Sequence, residues 1–234
     1  MAIKVYKFGP AFGLPDASPF VVKVETYLRM TGQKYETSTG DVRKAPRKQL
    51  PFVDVDGTVI PDSTSIVDHL ESARAEKLDA KTSAVALAFK SMLEEHLYFG
   101  LLYMRWATDD GWKIFEPSLV HMLGSMGVPS LMRGMVSKSA RKFTVGRVRT
   151  QGLRRKPRAE VVGTCSKIVD ALAEQFGEGP FFLGSKVTTY DATVYAFVSG
   201  VLCPAFDNEL RKHAAAKKNL VDYADRMKNS FWKN

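Results

Sequence analysis

Residues 48–70 read KQLPFVDVDGTVIPDSTSIVDHL, and this stretch limits what the chain around it can fold into. Phe52-Val53-Asp54-Val55 alternates and is rich in β-branched residues, as a half-buried strand requires. Pro51 has no N–H to give to a ladder, so it must stand at the first residue or the edge of that strand. Asp56-Gly57 supplies a two-residue turn, and Thr58-Val59-Ile60 the return strand. Pro61-Asp62-Ser63 then leads into a helix carrying Ile66, Val67 and Leu70 on one face. The pattern predicts a Pro-started strand beside a helix N-terminus, whose free backbone N–H groups suit a carboxylate or a peptide main chain.

Upstream, residues 3–8 alternate as a strand, and 10–18 hold the Gly and Pro of a loop. Ser18-Pro19 opens a helix, with Ser in the capping position and Pro in the first turn, and Val21, Val24, Tyr27 and Leu28 follow at helical spacing up to Gly32. A second short strand is expected at 34–38. The order is strand, helix, strand, loop, strand, strand, helix. Residues 71–81, polar and Ala-rich, read as a linker. From Thr82 onward the chain shows no strand pattern. Val85, Phe89, Met92, Leu93 and Leu97 are spaced for one long helix reaching about Trp106. Further helices are expected at 119–142 and 160–176, with a break over 146–157. Thr188 and Asp191 have reciprocal-cap spacing before the apolar run 192–202, and 220–231 closes the chain as an amphipathic helix.

Hydrophobic residues make up 45% of the 234 and charged residues 25%, ordinary for a globular protein. No apolar run approaches the roughly 20 residues of a bilayer span. The first residues lead straight into a strand and not into a signal-peptide core, so a soluble, cytoplasmic protein is expected. Cys165 and Cys203 are too few and too far apart for a disulfide framework, and no metal site is expected. The net charge of +9 comes from one segment. Between Glu116 and Glu160 there is no acidic residue, while Arg133, Lys138, Arg141, Lys142, Arg147, Arg149, Arg154, Arg155, Lys156 and Arg158 all lie there. A solvated helix face with a loop is the plain reading of residues 133–158. Nucleic acid is not expected, because Phe143 is the segment's only stacking residue. An acidic membrane surface or partner stays open.

The ordered pieces SPFVVKVETYLRM, LPFVDVDG, Asp62-Ser63 before SIVDHL, and GSKVTTYDATVYAF resemble the glutathione S-transferase superfamily. The phrases PDASPFVVKVETYLRMTG, EEHLYFGLLYMRW, TQGLRRKPRAEV and NLVDYADRMKNSFW are similar to its failed-axon-connections and metaxin-like branch. The resemblance implies an α/β plus all-α chain: an N-terminal thioredoxin-like domain over 1–74, then a C-terminal helical bundle domain over 83–234, commonly dimeric. It also implies that glutathione is the co-substrate.

Each part of that tripeptide asks for a different group. Ser63 offers a hydroxyl and an N–H at a helix start for the γ-glutamyl carboxylate, and Asp62 can face the ammonium; the resemblance puts this pair at the superfamily's γ-glutamyl site. It also implies a cis Leu50–Pro51 bond, with Leu50 pairing the cysteinyl backbone. Lys48 is a candidate for the glycine carboxylate by charge and nearness. Ser18 stands where related proteins place Cys or Ser, and a hydroxyl at a helix N-terminus stabilises a thiolate. Capping alone is the competing role for both Ser18 and the Asp62-Ser63 pair. Tyr6 is a rival donor, but its place within an alternating strand argues for packing. Tyr98, Tyr103 and Trp106 on the long helix are the expected wall for a small electrophile, with Arg105 and His96 open to structural roles. Thiol transfer to an electrophile, or its reduction, is the function expected. The alternative is a non-catalytic module of the same fold that binds a partner or an acidic membrane surface through 133–158.

Overall fold

The computed structural model describes residues 1–72 and 78–233. Four strands, β1 (Ile3–Lys7), β2 (Glu36–Thr39), β3 (Phe52–Val55) and β4 (Thr58–Pro61), form one sheet in the order β2-β1-β3-β4. β2 runs parallel to β1, while β3 is antiparallel to both β1 and β4. The register sets Val5 opposite Val53 and Val53 opposite Ile60, so the alternation collects the apolar side chains on one face. Asp56 and Gly57 both have positive φ, 49° and 87°, the backbone a two-residue hairpin turn requires.

Two helices cover that apolar face: α1 (Pro19–Met30) and α2 (Ser63–Glu71). Val24, Tyr27, Leu28, Ile66, Val67 and Leu70 join Ile3, Val5, Val53 and Val55 in one buried cluster. α1 is buried on more than the expected stripe, down to Lys23, Glu25 and Thr26. Its second face packs on α8 (Thr189–Val201), so Val22 belongs to the helical core while Val24 belongs to the sheet core.

The long helix reaches Ala107, as its spacing suggests, but it changes pitch twice. α3 (Ala80–Ser91) passes into a π-helical turn (Met92–Leu97), then α4 (Tyr98–Leu102), then a second π turn (Tyr103–Ala107). The helix expected at 119–142 is two helices, α5 (Asp109–Ser125) and α6 (Ser130–Thr150). Gly127, at φ 81°, and Pro129 divide them. The expected break at 146–157 is narrower: α6 runs on through Gly146 because Thr144 and Val148 are buried on either side of it, and only a 3₁₀ turn (Leu153–Arg155) interrupts the path to α7 (Arg158–Phe176). Thr188 and Asp191 form the reciprocal cap of α8. α9 (Glu209–Ala215), for which the pattern carried no expectation, and α10 (Lys218–Phe231) complete the bundle. β2 begins two residues later than expected. The architecture is thus a thioredoxin-like half followed by an all-helical one. Residues 73–77, the middle of the expected linker and with them the boundary at 74, lie outside the described residues. Among the described residues no helix is long and apolar enough to cross a membrane.

Candidate functional site

A cavity of about 880 Å³ opens where the two halves meet. Its floor is the loop before α1, the start of β3 and the first turn of α2; its walls are α4, the second π turn, α5 and α6. Ser18, Lys48, Leu50, Pro51, Asp62, Ser63, Tyr98 and Trp106, all singled out from the sequence, line it together. Tyr103 does not: it is buried in the helical core. Five residues at 100° each put positions 98 and 103 roughly 140° apart on a helix, so one wall cannot present both. Tyr6 is stacked on Phe52, ring centroids 4.2 Å apart, and is outside the cavity lining.

Ser18 stands in the capping position of α1 with extended backbone, yet its side chain makes no capping hydrogen bond. The Ser18 carbonyl accepts from the Val21 and Val22 amides, and its own N–H donates to the Asp16 carboxylate at 2.9 Å. The hydroxyl is therefore held at the helix N-terminus without the job that would occupy it. Asp62 is the true cap of α2: its Oδ1 accepts from the Thr64 and Ser65 amides at 2.9 and 3.2 Å. Its φ is 73° with ψ 130°, a positive-φ backbone outside the left-handed helical well and strained for any residue with a side chain. Ser63 follows, buried, with its amide in the orphan first position of the helix. The Leu50–Pro51 bond is cis. Lys48 is exposed at the rim, its ammonium donating to the Arg43 carbonyl.

Three charged groups that sequence reasoning passed over or left open complete the site. Asp16 is wholly buried, and its carboxylate ties the Gly9 and Ser18 amides, at 2.6 and 2.9 Å. Burial pushes its carboxyl up to about 7 against those stabilising hydrogen bonds. Glu94 lines the cavity next to α2 and pairs with Lys23 of α1. Arg105 is buried in the second π turn; its Nη1 donates to the Ala17 carbonyl at 3.2 Å and its Nη2 to the Gly200 carbonyl at 3.0 Å. In the sequence Asp16 and Arg105 stand out as charges among apolar neighbours, whereas Glu94, followed by Glu95 and His96, carries no such signal. The loop before α1 is anchored from the far side as well, Phe12 packing on Phe115 and Phe206.

The basic segment divides into two uses. Arg133, Arg141 and Arg158 are spent within the fold: Arg133 on the Val128 carbonyl, Arg141 on the Trp106 carbonyl and Asp109, Arg158 on Asp110 and Glu209. Arg147 lies over the rings of Tyr98 and Phe99 at the cavity edge. Along α6, however, Leu131, Met135 and Phe143 are 95%, 72% and 71% exposed, Phe143 at the mouth of the cavity. Among the described residues no group of three or more His, Cys, Asp or Glu side chains is placed to hold a metal ion.

Residues 19–111 match the glutathione S-transferase N-terminal domain, and residues 165–227 match the glutathione S-transferase C-terminal domain. Over 98% of its length the chain is 35% identical to the isoprene-epoxide–glutathione S-transferase of Rhodococcus sp., covering 99% of that protein. It is 32% identical to Failed axon connections of Drosophila melanogaster over 97% of its length, spanning 57% of that longer protein. It is 22% identical to metaxin-3 of Xenopus laevis, with 96% of this chain and 75% of that one covered. Among solved structures, the β-etherase LigF of Sphingobium sp. superposes over both whole chains with a TM-score of 0.63 at 18% identity. A glutathione transferase of Burkholderia graminis, solved with two glutathione molecules bound per subunit, superposes over 96% of this chain and 82% of its own with a TM-score of 0.60 at 15% identity.

Proposed function

The chain belongs to the glutathione S-transferase family, and from that premise we propose that it binds glutathione across Ser18, Leu50 and Ser63 and turns the thiol on a small electrophile. The observation that carries this reading is the convergence of three segments far apart in sequence on one cavity. The γ-glutamyl carboxylate goes to the Ser63 hydroxyl and amide, and the ammonium to Asp62, whose cap uses only one carboxylate oxygen. The cysteinyl main chain goes to Leu50, and the glycine carboxylate to Lys48 at the rim. The sulfur then points at the first turn of α1, where Ser18 donates to it. The electrophile lies between Tyr98, Trp106 and the apolar residues of α5. Similarity to a protein named for isoprene epoxide directs the first choice of electrophile to small epoxides.

Isothermal titration with glutathione tests this directly. Saturable binding at millimolar concentration or below is expected, with Ser63→Ala weakening it; no heat from the parent protein would overturn the reading.

A second reading, a non-catalytic module on an acidic membrane surface, draws support from α6. Exposed Leu131, Met135 and Phe143 share that helix with exposed Lys138 and Lys142, the composition of a helix that lies on an interface. Sedimentation with anionic vesicles tests it: co-sedimentation that salt abolishes supports it, and equal recovery in the supernatant with anionic and neutral vesicles removes it.

A further inference from the structure

Arg105 is 5% exposed and lines the cavity. Its guanidinium meets two backbone carbonyls, those of Ala17 and Gly200, and the face of the Phe206 ring, 4.9 Å from the guanidinium carbon. Among the described residues no carboxylate acts on it; only the Cys203 thiol and the Tyr98 phenol face it as ionisable groups. A guanidinium taken out of water without a counter-ion is costly, and carbonyl dipoles offset only part of that cost. The cavity is where a counter-ion can enter. Ala17, which receives one of the Arg105 hydrogen bonds, is bonded directly to Ser18.

We propose that Arg105 is the counter-charge for the glutathione sulfur: its guanidinium, fixed on the Ala17 carbonyl, holds the thiol bound at Ser18 as the thiolate. This rests on the glutathione reading above and extends it, since Ser18 alone supplies a hydrogen bond but no charge. The proton released by the thiol goes to water, and no bond of the protein is made or broken. Bond geometry puts the guanidinium within about 9 Å of the Ser18 hydroxyl. The sulfur, one hydrogen bond beyond that hydroxyl, then lies within about 12 Å, where at an effective dielectric of about 20 a unit charge lowers a thiol's ionisation midpoint by roughly 1 pH unit or more. Other charges bear on the same point. Asp16, on the Ser18 amide, opposes the thiolate, but with a carboxyl pushed up to about 7 it is only partly charged near neutrality. Asp41, Asp62, Glu94 and Glu95 also lie along the lining, with Arg43, Lys48 and Arg147 of opposite sign and Arg43 paired to Asp41; among the described side chains only Arg105 hydrogen-bonds the residue before Ser18.

The test follows the ultraviolet absorbance of the thiolate in the glutathione complex against pH, with no electrophile present. In the parent protein the bound thiol should ionise at about 7 or below, against about 8.5 for a free thiol. Arg105→Met should raise that midpoint by about 1 pH unit or more, and Arg105→Lys should restore most of the difference. S-methylglutathione, which has no thiol proton, should bind the parent and both variants within about two-fold, reporting that the cavity is intact. An unchanged midpoint in Arg105→Met, with S-methylglutathione still bound, overturns this inference and leaves the glutathione reading standing. Failure of both ligands to bind the parent overturns that reading and this one together. Should Arg105→Met not fold, Arg105→Gln replaces it, and a midpoint near that of the free thiol in the parent protein overturns the inference without any variant.

Discussion

The Lys23 ammonium lies 2.6 Å from the Glu94 carboxylate, an ion pair that stitches α1 to the π turn after α3 with side chains only 3% and 12% exposed. Thr64, in the first turn of α2, accepts from the same ammonium at 3.0 Å. Desolvation pulls the Lys23 pKa below its ordinary value, and Glu94 works against that pull. The pair thus sits at the seam between sheet and bundle, next to the residues expected to hold the ligand's head. Removing one partner strands a buried charge, which costs about 3–5 kcal/mol, whereas replacing both with apolar groups costs far less. Glu94→Leu, which strands the buried Lys23, is expected to show that full loss in urea denaturation, and Lys23→Met with Glu94→Leu less than half of it. Additive losses in the double variant would refute the coupling.

Asp16 ties stability to pH. Its carboxyl is raised from 3.8 to about 7, desolvation being the largest cause, so the folded chain binds this proton more tightly than the unfolded one. The stability it contributes is therefore complete below about pH 4 and is lost as pH rises through about 7, by at most about 4 kcal/mol. Asp16→Asn removes the titration and keeps an oxygen for one of the two amides. Urea midpoints of the two proteins, compared across that window, should converge or cross as pH rises; parallel profiles would show that Asp16 does not titrate there.

Asp62 joins three features in one residue: a helix cap, a positive-φ backbone and a negative charge toward the cavity. Asn keeps the first two, since its amide oxygen caps and its side chain, the same size and shape as that of Asp, leaves the backbone strain unchanged. Asp62→Asn should therefore leave thermal stability within about 0.5 kcal/mol of the parent while weakening glutathione binding about ten-fold, the size of one lost charge-assisted contact. Asp62→Ala should lose the cap as well, about 1 kcal/mol. Calorimetric melting beside glutathione titration separates the two.

Local physics made much of this chain legible. Asp56-Gly57 demands a hairpin wherever it falls between two strands, and Thr188 with Asp191 closes a cap within four residues. What stayed hidden was set by distant neighbours. Gly146 reads as a helix breaker, but α6 continues through it because burial of Thr144 and Val148 outweighs the local penalty of about 1 kcal/mol. Tyr103 shares a helix with Tyr98 and Trp106, yet it lies roughly 140° around that helix from Tyr98 and falls in the core. Arg105 acquires its significance from Ala17 and Gly200, 88 and 95 positions away, and no spacing rule links them.

Ser18 offers the sharpest separation of a capping role from a chemical one. A serine that caps a helix contributes about 1 kcal/mol, and its replacement by Ala shows that loss in stability. Ser18 occupies the capping position without making the bond, its amide being held by Asp16 and its carbonyl by the first turn of α1. Ser18→Ala should then melt within about 0.5 kcal/mol of the parent. If the hydroxyl donates to the thiolate, the same change should lower turnover of a small epoxide by about 100-fold and leave glutathione affinity nearly unchanged. Loss of about 1 kcal/mol of stability with little change in turnover would instead assign Ser18 to the helix alone. Glutathione titration, calorimetry and single-turnover kinetics on one variant decide between them.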